Sequence, residues 1–321
     1  MTKINPIDPL LNQFETLILD GALATELEKL GCNLDDPLWS ARVLLDEPEK
    51  IRKVHYAYFE AGADIAITAS YQASIEGFKK HGINEKEAKA LIRKTVELAK
   101  QAREEYWQEE RRSDRPYPLV AGSVGPYGAY LADGSEYIGN YGVSDQILYD
   151  FHKPRIEALV EAGADLLAAE TIPSLQEAKV ICDLLKEFPD ISAWMTFTLK
   201  DAVHISEGTM LRECAEFLNT CSQIVAIGVN CVTTEFISDA VQELNACTRK
   251  PIIIYPNSGE NYDPETKTWY GEEHVHVNTA AAGWAEKGAR IIGGCCRTGP
   301  EDIRGISRVL REVDNDSTPD R

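Results

Sequence analysis

The chain has 321 residues, 44% of them hydrophobic, and a formal net charge of −19, which suits one large globular α/β unit with a substantial core. The acidity argues against nucleic acid or an anionic membrane as partner, since phosphate surfaces select basic patches, and no apolar run approaches the ~20 residues that cross a bilayer. MTKINPIDPLLNQFETL lacks the apolar core of a secretory signal, and the sparse cysteines do not make a disulfide scaffold, so a cytoplasmic protein with reduced thiols is expected.

The predicted elements alternate along the chain. Strand Thr16–Asp20 runs into Gly21 and helix Ala24–Leu30, which Gly31 caps. The segment Asn33–Ala41 is a loop carrying Trp39. Helix Glu47–Ala61, with Pro48 near its start, ends at Gly62 and leads to strand Asp64–Ser70. Helical stretches Ile75–His81 and Glu85–Glu110 precede strand Leu119–Val124. A Gly- and Tyr-rich loop follows, Gly125–Gly142, of a length more often functional than idle. Helix Asp145–Ala162 then precedes strand Asp165–Glu170, and helix Leu175–Phe188 precedes strand Ala193–Leu199. Helix Thr209–Cys221 leads to strand Ile224–Asn230, and helix Thr234–Ala246 to strand Ile252–Tyr255. The loop Asn257–Gly271 and helix His274–Lys287 bring the chain to strand Ala289–Ile292. A last helix, Pro300–Val313, is followed by a polar tail, Asp314–Arg321, expected to be disordered.

One phrase recurs: EAGADIAITAS from Glu60, EAGADLLAAET from Glu161 and EKGARIIGGCC from Glu286. Each is a helix end, a glycine cap and a buried strand, at spacings too unequal for a solenoid. The alternation of strands and helices predicts a (β/α)8 TIM-type barrel in one domain, residues 1–313. An open dinucleotide-binding sheet would carry three glycines after its first strand; DGALATEL has only Gly21.

In such a barrel the active site lies at the C-terminal strand ends. Those ends carry Asp20, Gly21, Thr68, Ser70, Ser123, Glu170, Thr171, Thr198, Asn230, Cys231, Asn257, Ser258, Cys295 and Cys296. Neighbouring strand residues point to opposite faces, so Cys295 and Cys296 converge only if the strand breaks, and Gly293–Gly294 supplies that break. Cys231 ends IVAIGVNC on the sixth strand, and even-numbered strands share an interior layer. Three thiolates there offer a zinc site with its fourth position open; the alternative is three unrelated buried thiols. Glu170 closes an otherwise apolar strand, either as a salt-bridge partner or as the carboxylate for a substrate ammonium. Asp20 has the same two readings, besides ordinary Asp-Gly turn chemistry. Asn230 either orients Cys231 or contacts substrate. Cys32, Cys182, Cys214, Cys221 and Cys247 fall away from the strand ends and read as packing or surface residues. His274 and His276 share no helix face and receive no metal role.

GVNC at 228–231, GGCC at 293–296 and LDGALATEL at 19–27 together resemble the homocysteine S-methyltransferase family, over Thr16–Arg311. The resemblance implies one zinc ion per chain on Cys231, Cys295 and Cys296, activating the thiol of homocysteine. It supports Glu170 as the ammonium partner and assigns Thr68 and the Gly21 amide to the amino-acid head group. Trp39 and Tyr71 stand where related betaine enzymes place donor-facing aromatics, whereas Gln72 and Thr171 depart from that branch's aromatic cage. Members that use methyltetrahydrofolate carry further domains, and betaine users a C-terminal extension. The stand-alone type remains, which takes a sulfonium donor, S-methylmethionine or less efficiently S-adenosylmethionine, and makes methionine. A betaine- or selenocysteine-type methyltransferase, or a non-catalytic zinc- or thiol-binding barrel, is the alternative, and monomer and dimer are both left open.

Overall fold

The computed structural model describes residues 5–34, 40–110, 115–259, 261–263, 268–270 and 277–316. Its frame is eight parallel strands: β1 (Leu17–Ile18), β2 (Ile65–Ile67), β3 (Leu119–Val124), β4 (Leu166–Ile172), β5 (Ala193–Phe197), β6 (Ile224–Asn230), β7 (Ile252–Tyr255) and β8 (Ala289–Ile292). Each pairs with its sequence neighbour from β2 to β8, and β8 returns to β1 through Leu17↔Ile291 and Ile18↔Ile292. The last seam, between β1 and β2, closes on the bridge Leu19↔Ile65. Two backbone bonds flank it, Asp20 N–H to Ile65 O at 3.1 Å and Asp64 N–H to Ile18 O at 2.7 Å. The chain is thus the TIM-type (β/α)8 barrel its strand–helix alternation predicts.

Alternation along each strand divides two cores. Leu17, Leu19, Leu166, Ala168 and Trp194 fill the barrel interior, while Ile18, Leu167 and Ala169 pack outward under the helices. With both faces buried, the strands read as unbroken apolar runs. Ile7, which precedes the short helix Asp8–Leu11, is fully buried within the interior cluster, together with partly buried Leu10, Leu11 and Phe14.

The elements depart from expectation in their ends. The second strand stops at Ile67, before the expected Ser70, because Thr68 and Ser70 turn into local hydroxyl bonds. The loop Gly125–Gly142 contains two short helical turns, Tyr127–Leu131 and Ser135–Tyr137. Two unforeseen hairpins, Leu199–Asp201 with His204–Ile205 and Asn261–Asp263 with Thr268–Tyr270, lie beyond strand ends. The last helix runs from Pro300 to Asp316, past the expected Val313 and into the stretch read as tail. Trp39, His274, His276 and residues 317–321 lie outside the described residues. Among the described residues no helix is long and apolar enough to cross a membrane.

Candidate active site

The thiols converge at the C-terminal rim through backbone turns. Cys231 follows β6 in the left-handed region, φ 53°, and its N–H bonds Tyr255 O at 3.1 Å. Beyond β8, Gly293 N–H reaches Ile254 O at 3.0 Å, Gly294 N–H reaches Asp20 O at 3.1 Å and Cys295 N–H reaches Pro256 O at 2.7 Å. The glycine pair is required by close approach rather than by unusual dihedrals. A Cβ on Gly293 would stand 2.6 Å from Leu19 Cβ, and one on Gly294 2.2 Å from Thr298 Oγ1. The left-handed residue is Arg297 instead, φ 68°, in a turn that Thr298 closes by donating its hydroxyl to Cys295 O at 2.6 Å.

The result is a cluster of three sulfurs within 4.8 Å of one another, with Cys231–Cys296 at 3.7 Å and Cys295–Cys296 at 4.0 Å. Zinc bound tetrahedrally at about 2.3 Å sets sulfurs about 3.8 Å apart, so the donor set fits such an ion. Cys295 and Cys296 hydrogen-bond to Cys231 and hold its thiol well below the usual range, while theirs are pushed up. Cys231 also takes hydrogen bonds from Asn257 and from the Tyr137 hydroxyl, the latter at 3.3 Å. Sequence reasoning assigned neither residue a role. Asn257 was visible only as one polar strand-end residue among many, and Tyr137 only through the length and tyrosine content of its loop.

Two carboxylates share the barrel mouth. Glu170 is 6% exposed; Ser123 Oγ donates to it at 2.5 Å and the Tyr255 hydroxyl also bonds it. Burial nevertheless pushes its pKa up to about 7. Asp20 is 3% exposed and receives Ile67 N–H at 2.8 Å. Burial first, then the Glu170 charge, push its carboxyl well up against that bond. Two buried acids with no salt bridge among the described residues suit an incoming cation. Gly21 has a packing reason as well, since a Cβ there would sit 2.8 Å from Thr298 O. The Thr68 hydroxyl splices β2 to β3, lying 2.8 Å from Ser70 Oγ and accepting Ser123 N–H at 3.0 Å.

Asn230, fully buried, commits its amide to β4 and β5. Its Oδ1 accepts from Thr171 N–H and Thr196 Oγ1, both at 2.7 Å, and its Nδ2 donates to Thr171 Oγ1 at 2.8 Å. Thr171 stands at φ 58°, which a β-branched residue avoids unless held. The β4–β5 register shifts between Ala169 and Ile172, so the bulge falls on Glu170–Thr171 and re-aims that pair. Asn230 therefore orients the carboxylate strand as well as adjoining Cys231. Tyr71 hydrogen-bonds Thr171 and lies within electrostatic reach of Cys231 and Glu170. Buried Arg155 donates to Tyr71 O at 3.0 Å and to Gly125 O at 2.5 Å, tying Tyr71 to the start of the loop that bears Tyr137.

A TIM barrel with a thiol cluster able to hold a metal, beside paired acids at its C-terminal rim, has the layout of an α/β-barrel enzyme. The homocysteine S-methyltransferase family matches residues 17–310. Homocysteine S-methyltransferase YbgG of Bacillus subtilis is 55% identical over 312 residues, 97% of this chain and 99% of that protein. The metallated crystal form of the homocysteine methyltransferase MmuM from Escherichia coli superposes with a TM-score of 0.87 at 48% identity, over 95% of this chain and 100% of that one. Its oxidized form gives 0.89 at 49%, with the same coverage. The chain belongs to the homocysteine S-methyltransferase family and is a methyltransferase.

Proposed function

We propose that this enzyme transfers a methyl group from S-methylmethionine, or less efficiently S-adenosylmethionine, to homocysteine, giving methionine, with one zinc ion held by Cys231, Cys295 and Cys296. The single observation that carries the reading is the cluster of three sulfurs within 4.8 Å, opening on the same barrel mouth as Glu170 and Asp20. When bound by thiolates, zinc deprotonates a coordinating thiol outright and leaves its sulfur electron-rich. Glu170, steadied by Ser123 and Tyr255, takes the ammonium of homocysteine in a charge-assisted hydrogen bond, with Asp20 beside it. The Gly21 amide and Thr68 border the amino-acid head group, and Asn230 keeps the Glu170 bulge in place.

The donor's sulfonium has no proton to donate, so its charge is met by aromatic faces and carboxylates; Tyr71 and Trp39 are assigned that role. In the transfer the acceptor sulfur bonds the methyl carbon as the carbon–sulfonium bond breaks. The donor's positive charge and the nucleophile's negative charge disappear together, a change a dry pocket tolerates. Thiols in this state call for a reducing compartment such as the cytoplasm.

The test is a methyl-transfer assay with homocysteine against S-methylmethionine, S-adenosylmethionine and betaine, after metal analysis of the same sample. One zinc per chain and the highest initial rate with S-methylmethionine are expected. A faster rate with betaine overturns the donor, and zinc binding without turnover overturns the enzymatic reading. Full zinc occupancy in a Cys231→Ser, Cys295→Ser double variant removes the ligand assignment.

A further inference from the structure

All the cysteines are free thiols, and the proposed methyl transfer uses only those at the barrel mouth. A second pair sits at the other end of β6. Cys221 precedes the strand and Cys231 follows it, so its seven residues separate the two sites by about 20 Å. Cys182, buried near the end of helix Leu175–Leu185, and Cys221, half-buried just past helix Leu211–Asn219, line one surface cavity of about 160 Å³. That is room for a group of single-amino-acid size.

The surrounding hydrogen bonds hold this arrangement. Gln223 Nε2 donates to Leu185 O at 2.8 Å and to Phe188 O and Ile191 O at 2.9 Å each. The turn after the Cys182 helix is thereby fastened to the start of β6. Lys250 Nζ donates to Leu218 O and Cys221 O, both at 2.7 Å. Helix-end carbonyls disfavour an anion, and this ammonium offsets them, with Lys186 on the cavity wall.

We propose that Cys221 is a modification site for low-molecular-weight disulfides, with Cys182 as the thiol that resolves the adduct. The two thiols share the cavity wall and differ in exposure, Cys182 buried and Cys221 partly open. Cys221 S–H faces Phe217 O at 3.8 Å and lies 3.9 Å from the Thr220 hydroxyl; the Cys182 thiol first, then the Thr220 hydroxyl and the two lysines, pull the Cys221 thiol down to about 7. Cys182 is pushed up by its Cys221 neighbour and by burial. A partly exposed thiol of low pKa beside cations is the reactive kind, and a buried neighbour is placed to resolve. Cys247 is the internal control: also half-buried, its thiol bonds Glu243 O at 3.2 Å and is pushed up by burial.

In the first step the Cys221 thiolate bonds one sulfur of the disulfide RSSR, and the S–S bond breaks with its electron pair leaving on RS⁻. In the second, Cys182 gives up its proton to solvent and bonds the Cys221 sulfur, expelling another RS⁻. The protein dithiol is oxidised, the disulfide is reduced to two thiols, and protons lost by the cysteines balance those gained. This chemistry is independent of the methyl-transfer reading.

Full-length protein purified with zinc and exposed to cystine, then mapped as non-reduced peptides by mass spectrometry, tests the proposal. Wild type should accumulate a Cys182–Cys221 cross-link, with Cys221 consumed about tenfold faster than Cys247 as its larger thiolate fraction requires. Cys182→Ser, or Cys182→Ala should the first variant melt early, should stop at a cysteine adduct on Cys221. Cys221→Ser should leave Cys182 unmodified. Equal rates at Cys221 and Cys247, or a wild type that stops at the same adduct as Cys182→Ser, overturns it.

Discussion

Glu170 shows how much one residue's surroundings decide. Its pKa of about 7 means that near neutrality the empty site holds the carboxyl partly protonated, while an ammonium needs the carboxylate. Homocysteine affinity should therefore rise with pH through about 7, and Glu170→Gln should remove that part of the profile. At higher pH the same substitution should weaken binding roughly tenfold to a hundredfold, as about 1.5–3 kcal/mol for a hydrogen bond to a charged group implies. Isothermal titration at several pH values measures both, and an unchanged affinity would return Glu170 to a structural role. The group also acts on stability. Its folded pKa is raised above the unfolded ~4.3, so its contribution is full below that value and is lost as pH rises through about 7.

At the scale of elements, β4 is bent by its neighbour. The Asn230 amide makes three hydrogen bonds onto Thr171 and Thr196, and the left-handed Thr171 persists because those bonds hold it. Asn230→Ala should cost about 1–3 kcal/mol, the penalty for leaving buried polar groups unmet. It should also weaken homocysteine binding, although Asn230 need not touch the substrate. A stability loss by denaturant titration with unchanged homocysteine affinity would separate the bulge from function. The helix Pro48–Ala61 holds a different liability. His55 is fully buried, neither ring nitrogen has a hydrogen-bond partner among the described residues, and burial pushes its pKa down to about 4. The unfolded chain takes up this proton near 6.5, so stability present above that pH is lost as pH falls through about 4. His55→Leu should raise the melting temperature, and by more at pH 5 than at pH 7; an equal gain at both would show that the ring already titrates normally.

At the scale of the molecule, the barrel's closing seam leans on one carboxylate. Asp64, 0% exposed, accepts Ile18 N–H at 2.8 Å and pairs with Arg115 at 3.3 Å and with Arg311 of the last helix. It therefore binds the first strand, the second and the C-terminal helix together. Asp64→Asn keeps the size but takes the shared anion from two guanidinium groups, so a loss of about 3 kcal/mol is expected. The urea midpoint should fall with an unchanged slope if the native barrel still closes, and an unchanged midpoint would show that backbone pairing alone carries the seam.

The strands were legible because a barrel buries both of their faces, which writes each as an apolar run bounded by helix caps. The clustering of Cys231, Cys295 and Cys296 was legible because the strand break at Gly293–Gly294 lets the adjacent pair converge and chain order sets which strand ends meet. Other features left no local trace. Thr171 in a left-handed turn contradicts its own propensity and follows only from an amide on β6. Tyr137 reaches Cys231 across 94 positions of chain, and its tyrosine-rich loop looks the same in sequence whether it covers the site or not. The Gly293–Gly294 pair was read as conformational freedom, yet it answers to Leu19, Asp20 and Thr298 pressing against it. Periodicity and spacing are properties of a segment and survive in sequence, whereas close approach, strain and hydrogen-bond partners depend on what the closed barrel brings alongside.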